Sequence, residues 1–245
     1  MKIIAEIGMN HMGDEEYLGQ YLGVLGVACP DGVTLQVQTP EYYAEKSHIG
    51  LALSDECYQR AVKRAKELGL HLGATLCDAE KVAFFEGIGT DFYKILSKDI
   101  GNQQLIATVL ATLKPVYVST GMSSEEDIQV FRGAFGQLPS NLSLIHTQLS
   151  YDDADTNLRA IGRLRERFGV PVAFGLHSTD VNALYASLGF SPSALFFYVK
   201  GGREIKHRDE AHAIPLTQCA GVVTELRRLG NMMGDGFKKK MTKKI

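Results

Sequence analysis

Short apolar runs alternate along the chain with longer segments in which apolar residues return roughly every three or four positions. The short runs read as β-strands and the longer segments as amphipathic helices. Strands are expected at Ile3–Ile7, Val33–Val37, His71–Thr75, Phe92–Ile95, Val116–Ser119, Leu142–Thr147, Val172–Leu176 and Ala194–Val199. Helices are expected at Glu15–Val27, Ser54–Leu68, Ala79–Glu86, Gln103–Leu113, Ser123 or Ser124 through Phe131, Asn157–Phe168, Val181–Leu188 and Leu216–Leu229. Either serine can cap the fifth helix, and Glu125 and Glu126 suit its positive end. Strands this short and this continuously apolar are those of a parallel sheet buried on both faces. Eight strand–helix units in 245 residues predict one domain, residues 1–245, folded as an α/β (β/α)₈ TIM barrel. An open doubly wound sheet is the competing arrangement, but no glycine-rich phosphate loop follows the first strand.

A barrel places its chemistry where the strands end. Those ends carry Asn10 and His11, Gln36 and Gln38, Thr75 and Asp78, then Lys94, Ser97, Lys98 and Asp99. They continue with Ser119 and Thr120, His146, Gln148 and Tyr151, His177 and Ser178, and Lys200 and Arg203. Hydroxyls, amides, lysines and histidines around one mouth suit an oxygen-rich anionic ligand. Lys94 is the most telling residue, because a lysine inside a strand is costly unless its ammonium meets an anion. Glu6 reads either as a functional carboxylate or as the buried partner of a rim lysine. Ser119 and Thr120 before Gly121 read equally as phosphate-binding hydroxyls or as a capped turn. Asn10 leans to a ligand role, whereas His146, in mid-strand, reads as a core histidine. The loop carrying His207, Arg208, Asp209, Glu210 and His212 reads as solvated, with Asp209 the exception.

Charge and cysteine content narrow the function classes. The formal net charge is −2, which gives no global field for nucleic acid or an acidic membrane surface. Lys238, Lys239, Lys240, Lys243 and Lys244 read as a solvated terminal run. Cys29, Cys57, Cys77 and Cys219 lack CxxC spacing, as expected of reduced thiols in a cytoplasmic protein. No signal peptide or membrane-spanning stretch is read. No serine–histidine–acid order or zinc spacing supports a hydrolase.

Four segments go beyond generic barrel logic: Ile4-Ala5-Glu6-Ile7-Gly8-Met9-Asn10-His11-Met12-Gly13-Asp14, Tyr93-Lys94-Ile95-Leu96-Ser97, Lys114-Pro115-Val116-Tyr117-Val118-Ser119-Thr120-Gly121-Met122 and Leu144-Ile145-His146-Thr147. In this order the chain resembles the sialic acid synthase family, with weaker agreement at Gln38-Thr39, Ala74-Thr75 and Gly175-Leu176-His177. The resemblance implies condensation of phosphoenolpyruvate with an N-acylated amino-sugar aldehyde to a nine-carbon acidic sugar and phosphate. It implies a divalent metal, Mn²⁺ or Mg²⁺, polarising the aldehyde. Position by position it implies that Glu6 is the strand-one active-site carboxylate and that Gln38, Thr75, Lys94, Ser97 and Ser119 surround phosphoenolpyruvate. It further implies that Tyr151 lies on the sugar side, His177 is a metal histidine, and Asp209 lies near sugar and metal.

The departures fall on the same site. The family's second phosphate lysine is Gln36 here, its strand-six asparagine is Leu149, and the Ser-Asp pair before His177 is absent. Read as a two-residue deletion, that gap places Tyr198 where the second metal histidine is expected. The family's small C-terminal antifreeze-like domain has no counterpart before Ile245, so the resemblance implies a homo-oligomer or partner subunit completing the site. The segment from about Pro40 to Leu53, an apolar patch at Phe196 and Phe197, or the lysine tail are the candidates for that completion. Two other readings stay open: a metal-independent aldolase or lyase with Lys94 as reactive amine, and a non-catalytic barrel that binds an acidic sugar or assembles with a true synthase.

Overall fold

The computed structural model describes residues 1–238 and 240; Lys239, Lys243 and Lys244 of the lysine run fall outside them. Eight parallel strands form a closed ring: β1 (Lys2–Gly8), β2 (Gly32–Val37), β3 (His71–Leu76), β4 (Phe92–Ile95), β5 (Val116–Ser119), β6 (Leu142–His146), β7 (Val172–Gly175) and β8 (Ala194–Lys200). Each pairs with its successor in sequence, and β8 returns to β1 with Glu6 opposite Tyr198. The (β/α)₈ barrel is thus closed, and the open sheet is excluded. A short β9 (Ile214–Pro215) extends from β8. The surrounding helices are α1 (Glu15–Ala28), α2 (Pro40–Ala44), α3 (Asp55–Glu67), α4 (Val82–Gly87), α5 (Gln103–Leu110), α6 (Glu125–Phe135), α7 (Ala160–Phe168), α8 (Asn182–Ser187) and α9 (Leu216–Met233). No helix among the described residues is long and apolar enough to cross a membrane.

The alternation of side chains along each strand divides the core in two. Outward residues such as Ile3, Ala5, Ile7, Tyr93, Ile95, Leu195, Phe197 and Val199 pack beneath the helices. Inward residues Ile4, Phe92, Ile145, Ala173, Ala194 and Phe196, with Tyr117, plug the barrel. Phe196 and Phe197 therefore face opposite sides and are both fully buried, so the apolar surface patch expected there does not exist. Two residues further along β1, β4 and β8, the inward positions are Glu6, Lys94 and Tyr198. The sequence places its charges immediately above an apolar plug.

Several boundaries moved for local reasons. The helix expected to reach Leu113 stops at Leu110, because Leu113 is left-handed at φ 60° ahead of Lys114-Pro115. The one expected from Asn157 starts at Ala160, after a left-handed Asn157. Ser124 rather than Ser123 caps α6, in a capping box with Asp127. In the long excursion after β2, Thr39 caps α2, an element the periodicity did not predict.

Candidate active site

The deepest polar group in the mouth is an ion pair. Lys94 Nζ donates to Glu6 Oε2, and Thr34 Oγ1 donates to the same oxygen at 3.5 Å. The lysine and glutamate are 5% and 3% exposed, and the ammonium lies 5.4 Å from the Tyr198 ring centroid and 5.6 Å from that of Phe196. Glu6 is thus the buried partner of Lys94 and part of the mouth at once. Thr75 sits between Gln36 and Lys94 in the strand register, with Gln36 half-buried. Gln38 is buried beside the excursion, its backbone N–H donating to the Tyr43 hydroxyl at 3.1 Å.

The hydroxyl wall follows from β4 to β6. Ser97 and Ser119 hydroxyls meet at 2.9 Å, and the buried Thr147 hydroxyl has no hydrogen-bond partner among the described residues. Gly121 lets these come together: a Cβ there would stand 2.8 Å from the Thr147 methyl and 3.2 Å from Ser97 Oγ. Leu149 lies beside the same glycine and is half exposed. Thr120 turns away, donating to the Ile145 carbonyl at 2.9 Å.

The third wall is aromatic. His177 and His212 stack with ring centroids 4.3 Å apart, Tyr198 stands edge-on to both, and Tyr151 lies over His212 at 5.9 Å. Burial is the largest cause that lowers both imidazoles, His177 to about 3 and His212 to about 4, so both are neutral near pH 7. Burial, then the Glu6 carboxylate, pushes Asp209 up to about 7. Burial likewise drives the Tyr198 phenol well above its ordinary value.

Asn10 holds this wall rather than the mouth. Its amide donates to the Val199 carbonyl at 2.8 Å and accepts from the Asp209 backbone N–H at 3.1 Å. The neighbouring His11 is buried, which lowers it to about 4, and its Nε2 has no hydrogen-bond partner among the described residues. Of the loop residues expected to be solvated, Arg208 is exposed, but His207 and His212 are buried. His207 is buried against the Tyr17 hydroxyl at 2.8 Å, and His212 is 7% exposed. Arg208 reaches across to the Tyr42 hydroxyl at 2.9 Å and His48 at 3.2 Å, while Tyr42 and His48 stack at 3.8 Å. His146 behaves as a core histidine, with Nε2 3.0 Å from the Thr156 carbonyl.

The donors around His177 do not fit a divalent ion. Imidazole lone pairs lie in the ring plane, and two stacked rings inclined by 28° direct them side by side rather than at one point. Glu6 is engaged by Lys94, and Tyr198 holds its proton. Among the described residues, no three His, Cys, Asp or Glu side chains are grouped to hold a metal.

The structure therefore gathers Glu6, Lys94, Thr75, Ser97, Ser119, His177, Tyr151 and Asp209 around one mouth, while Asn10 serves the wall. Sequence reasoning missed His212, Thr34 and the free Thr147 hydroxyl. The apolar run Ala213-Ile214-Pro215-Leu216 was the available signal that His212 turns inward.

The NeuB family model matches residues 35–238. An uncharacterized protein of Methanocaldococcus jannaschii is 28% identical over 96% of this chain and 73% of its own length. The N-acetylneuraminate-9-phosphate synthase of Homo sapiens is 22% identical over 96% of this chain and 72% of its own. In three dimensions the chain is similar to the N-acetylneuraminic acid synthetase of Leptospira borgpetersenii serovar Hardjo-bovis, solved with citrate. The TM-score is 0.90 at 22% identity, covering 98% of this chain and 87% of that one. At that identity, the structural likeness speaks for the fold.

Proposed function

The chain belongs to the NeuB family, and on that premise we propose that it condenses phosphoenolpyruvate with the aldehyde of an N-acylated amino sugar to give a nonulosonic, sialic-type acid. One carbon–carbon bond forms between the enol carbon and the aldehyde, one water is consumed, and inorganic phosphate is released. The observation that carries this reading is Lys94, an ammonium buried at the base of a hydroxyl-lined mouth. An arriving carboxylate or phosphate takes a share of Lys94 from Glu6 and accepts from Ser97, Ser119 and Thr147. Gln36 and Thr75 complete that side with uncharged donors. Asp209, protonated over part of the neutral range, supplies an acid at the opposite wall. Four unpaired cysteines suit a reducing, cytoplasmic setting.

The test is phosphate release from phosphoenolpyruvate with a panel of N-acetylhexosamines, with the product mass read by spectrometry. A product heavier than the acceptor by the pyruvyl unit is expected. Absence of both turnover and phosphoenolpyruvate binding would remove this reading.

A further inference from the structure

We propose that the stacked imidazoles of His177 and His212 form the acceptor subsite, orienting and polarising the sugar aldehyde by hydrogen bonds, with no metal ion between protein and sugar. This rests on the synthase reading above and names the groups that take its second substrate. His212 is more than nine-tenths buried, yet neither of its ring nitrogens has a hydrogen-bond partner among the described residues. A buried polar group left unpaired is expensive, and it marks a place where a ligand is awaited. His177 is half-buried beside it and makes ring contacts to His212 and Tyr198, with no hydrogen-bond partner among the described residues.

Two neutral imidazoles offer two donors and two acceptors. That complement suits the mixed carbonyl, hydroxyl and amide groups of an N-acylated sugar, which carry no charge. The stack fixes how the ring edges are presented, and Tyr198 holds both rings from the side. Tyr151, 58% exposed and inclined over His212, is placed to yield to a sugar and then to cover it. Tyr198 also links the two halves of the mouth, since Lys94 Nζ lies 5.4 Å from its ring. A carbonyl on the imidazoles therefore comes close to an anion on Lys94. An imidazole N–H aimed at a carbonyl can stabilise developing negative charge without carrying charge itself.

The experiment uses the full chain dialysed against EDTA. Calorimetry with N-acetylglucosamine, N-acetylgalactosamine and N-acetylmannosamine, in the absence of phosphoenolpyruvate, measures acceptor binding. Side-chain ¹⁵N spectra follow the imidazoles of the wild-type protein. At least one sugar is expected to bind in EDTA and to shift the His177 and His212 resonances. His212→Phe keeps the ring stack and removes the nitrogens, so it should weaken that sugar about tenfold, as the loss of a hydrogen bond requires. Phosphoenolpyruvate affinity should stay as in wild type, which also reports that the variant is folded. Acceptor binding that requires Mn²⁺, or that His212→Phe leaves intact, overturns the proposal while the synthase reading stands. Failure of the wild-type protein to bind phosphoenolpyruvate at all overturns both.

Discussion

Burial, and after it the nearby Glu6 carboxylate held by Lys94, raises Asp209 so that it retains its proton up to about pH 7. A carboxyl raised in the folded state binds more protons there than in the unfolded chain between about pH 4 and 7, so its ionisation lowers stability as pH rises through that window. The shift from 3.8 to about 7 corresponds to a cost on the order of 4 kcal/mol once Asp209 is charged. Asp209→Asn is expected to raise the Tm by several degrees at pH 8 and to change it little at pH 4, read by calorimetric melts. Lys94 and Gln36 give the matching prediction for binding. Gln36→Lys should tighten phosphoenolpyruvate binding by adding a charge-assisted bond, and Lys94→Met should abolish it, both by calorimetry. If Lys94→Met leaves the affinity unchanged, the anion sits elsewhere. Because removing Lys94 strands a buried Glu6 carboxylate, that variant should also lose about 3–5 kcal/mol of stability, and Glu6→Gln on top should restore part of it. At this scale the sequence was informative where chemistry interrupts an apolar pattern, as at Glu6 and Lys94. It was weaker at His212, where a charged loop precedes the residue and only the apolar run after it, from Ala213 to Leu216, marks the turn inward.

The elements were legible for a different reason: a doubly buried strand leaves an unbroken apolar run whatever its neighbours do. All eight strands were found, β4 and β5 with their end residues. Helix ends were less legible, since left-handed residues such as Leu113 and Asn157 decide them and neither is glycine. The excursion between β2 and α3 held its structure in contacts across the chain rather than in periodicity. Gly13, at φ 75°, is the clearest of these, because a Cβ there would stand 1.7 Å from the Gly50 carbonyl oxygen. Gly13→Ala must therefore push residues 48–51 off the first βα loop as well as strain its own backbone. The expected result is rapid proteolysis within residues 45–53 and a loss of at least 2 kcal/mol on the scale of such strain, measured by urea unfolding. Wild-type protection in that segment would show that the loop accommodates the change.

For the whole molecule, the ring could be read from the count and spacing of its units, whereas the way loops close over it could not. Arg208 ties the loop after β8 to Tyr42 and His48 from the excursion after β2, contacts separated by 166 and 160 residues. Arg208→Ala should speed amide exchange in residues 40–48 by roughly the factor of ten that one lost hydrogen bond permits, with exchange in β1 through β8 unchanged. Uniform exchange rates in both proteins would show that the excursion is held without Arg208. The β1–β8 seam has a consequence in the order in which the chain is made. β1 leaves the ribosome well before its neighbour β8, with Glu6 facing Tyr198 across the join. Until residue 198 has been synthesised, one edge of an isoleucine-rich strand has no partner and invites pairing with another nascent chain. The side chains on either side of that seam, Glu6 and Tyr198, both lie against Lys94, so the mouth of the barrel is completed only when the ring itself is sealed.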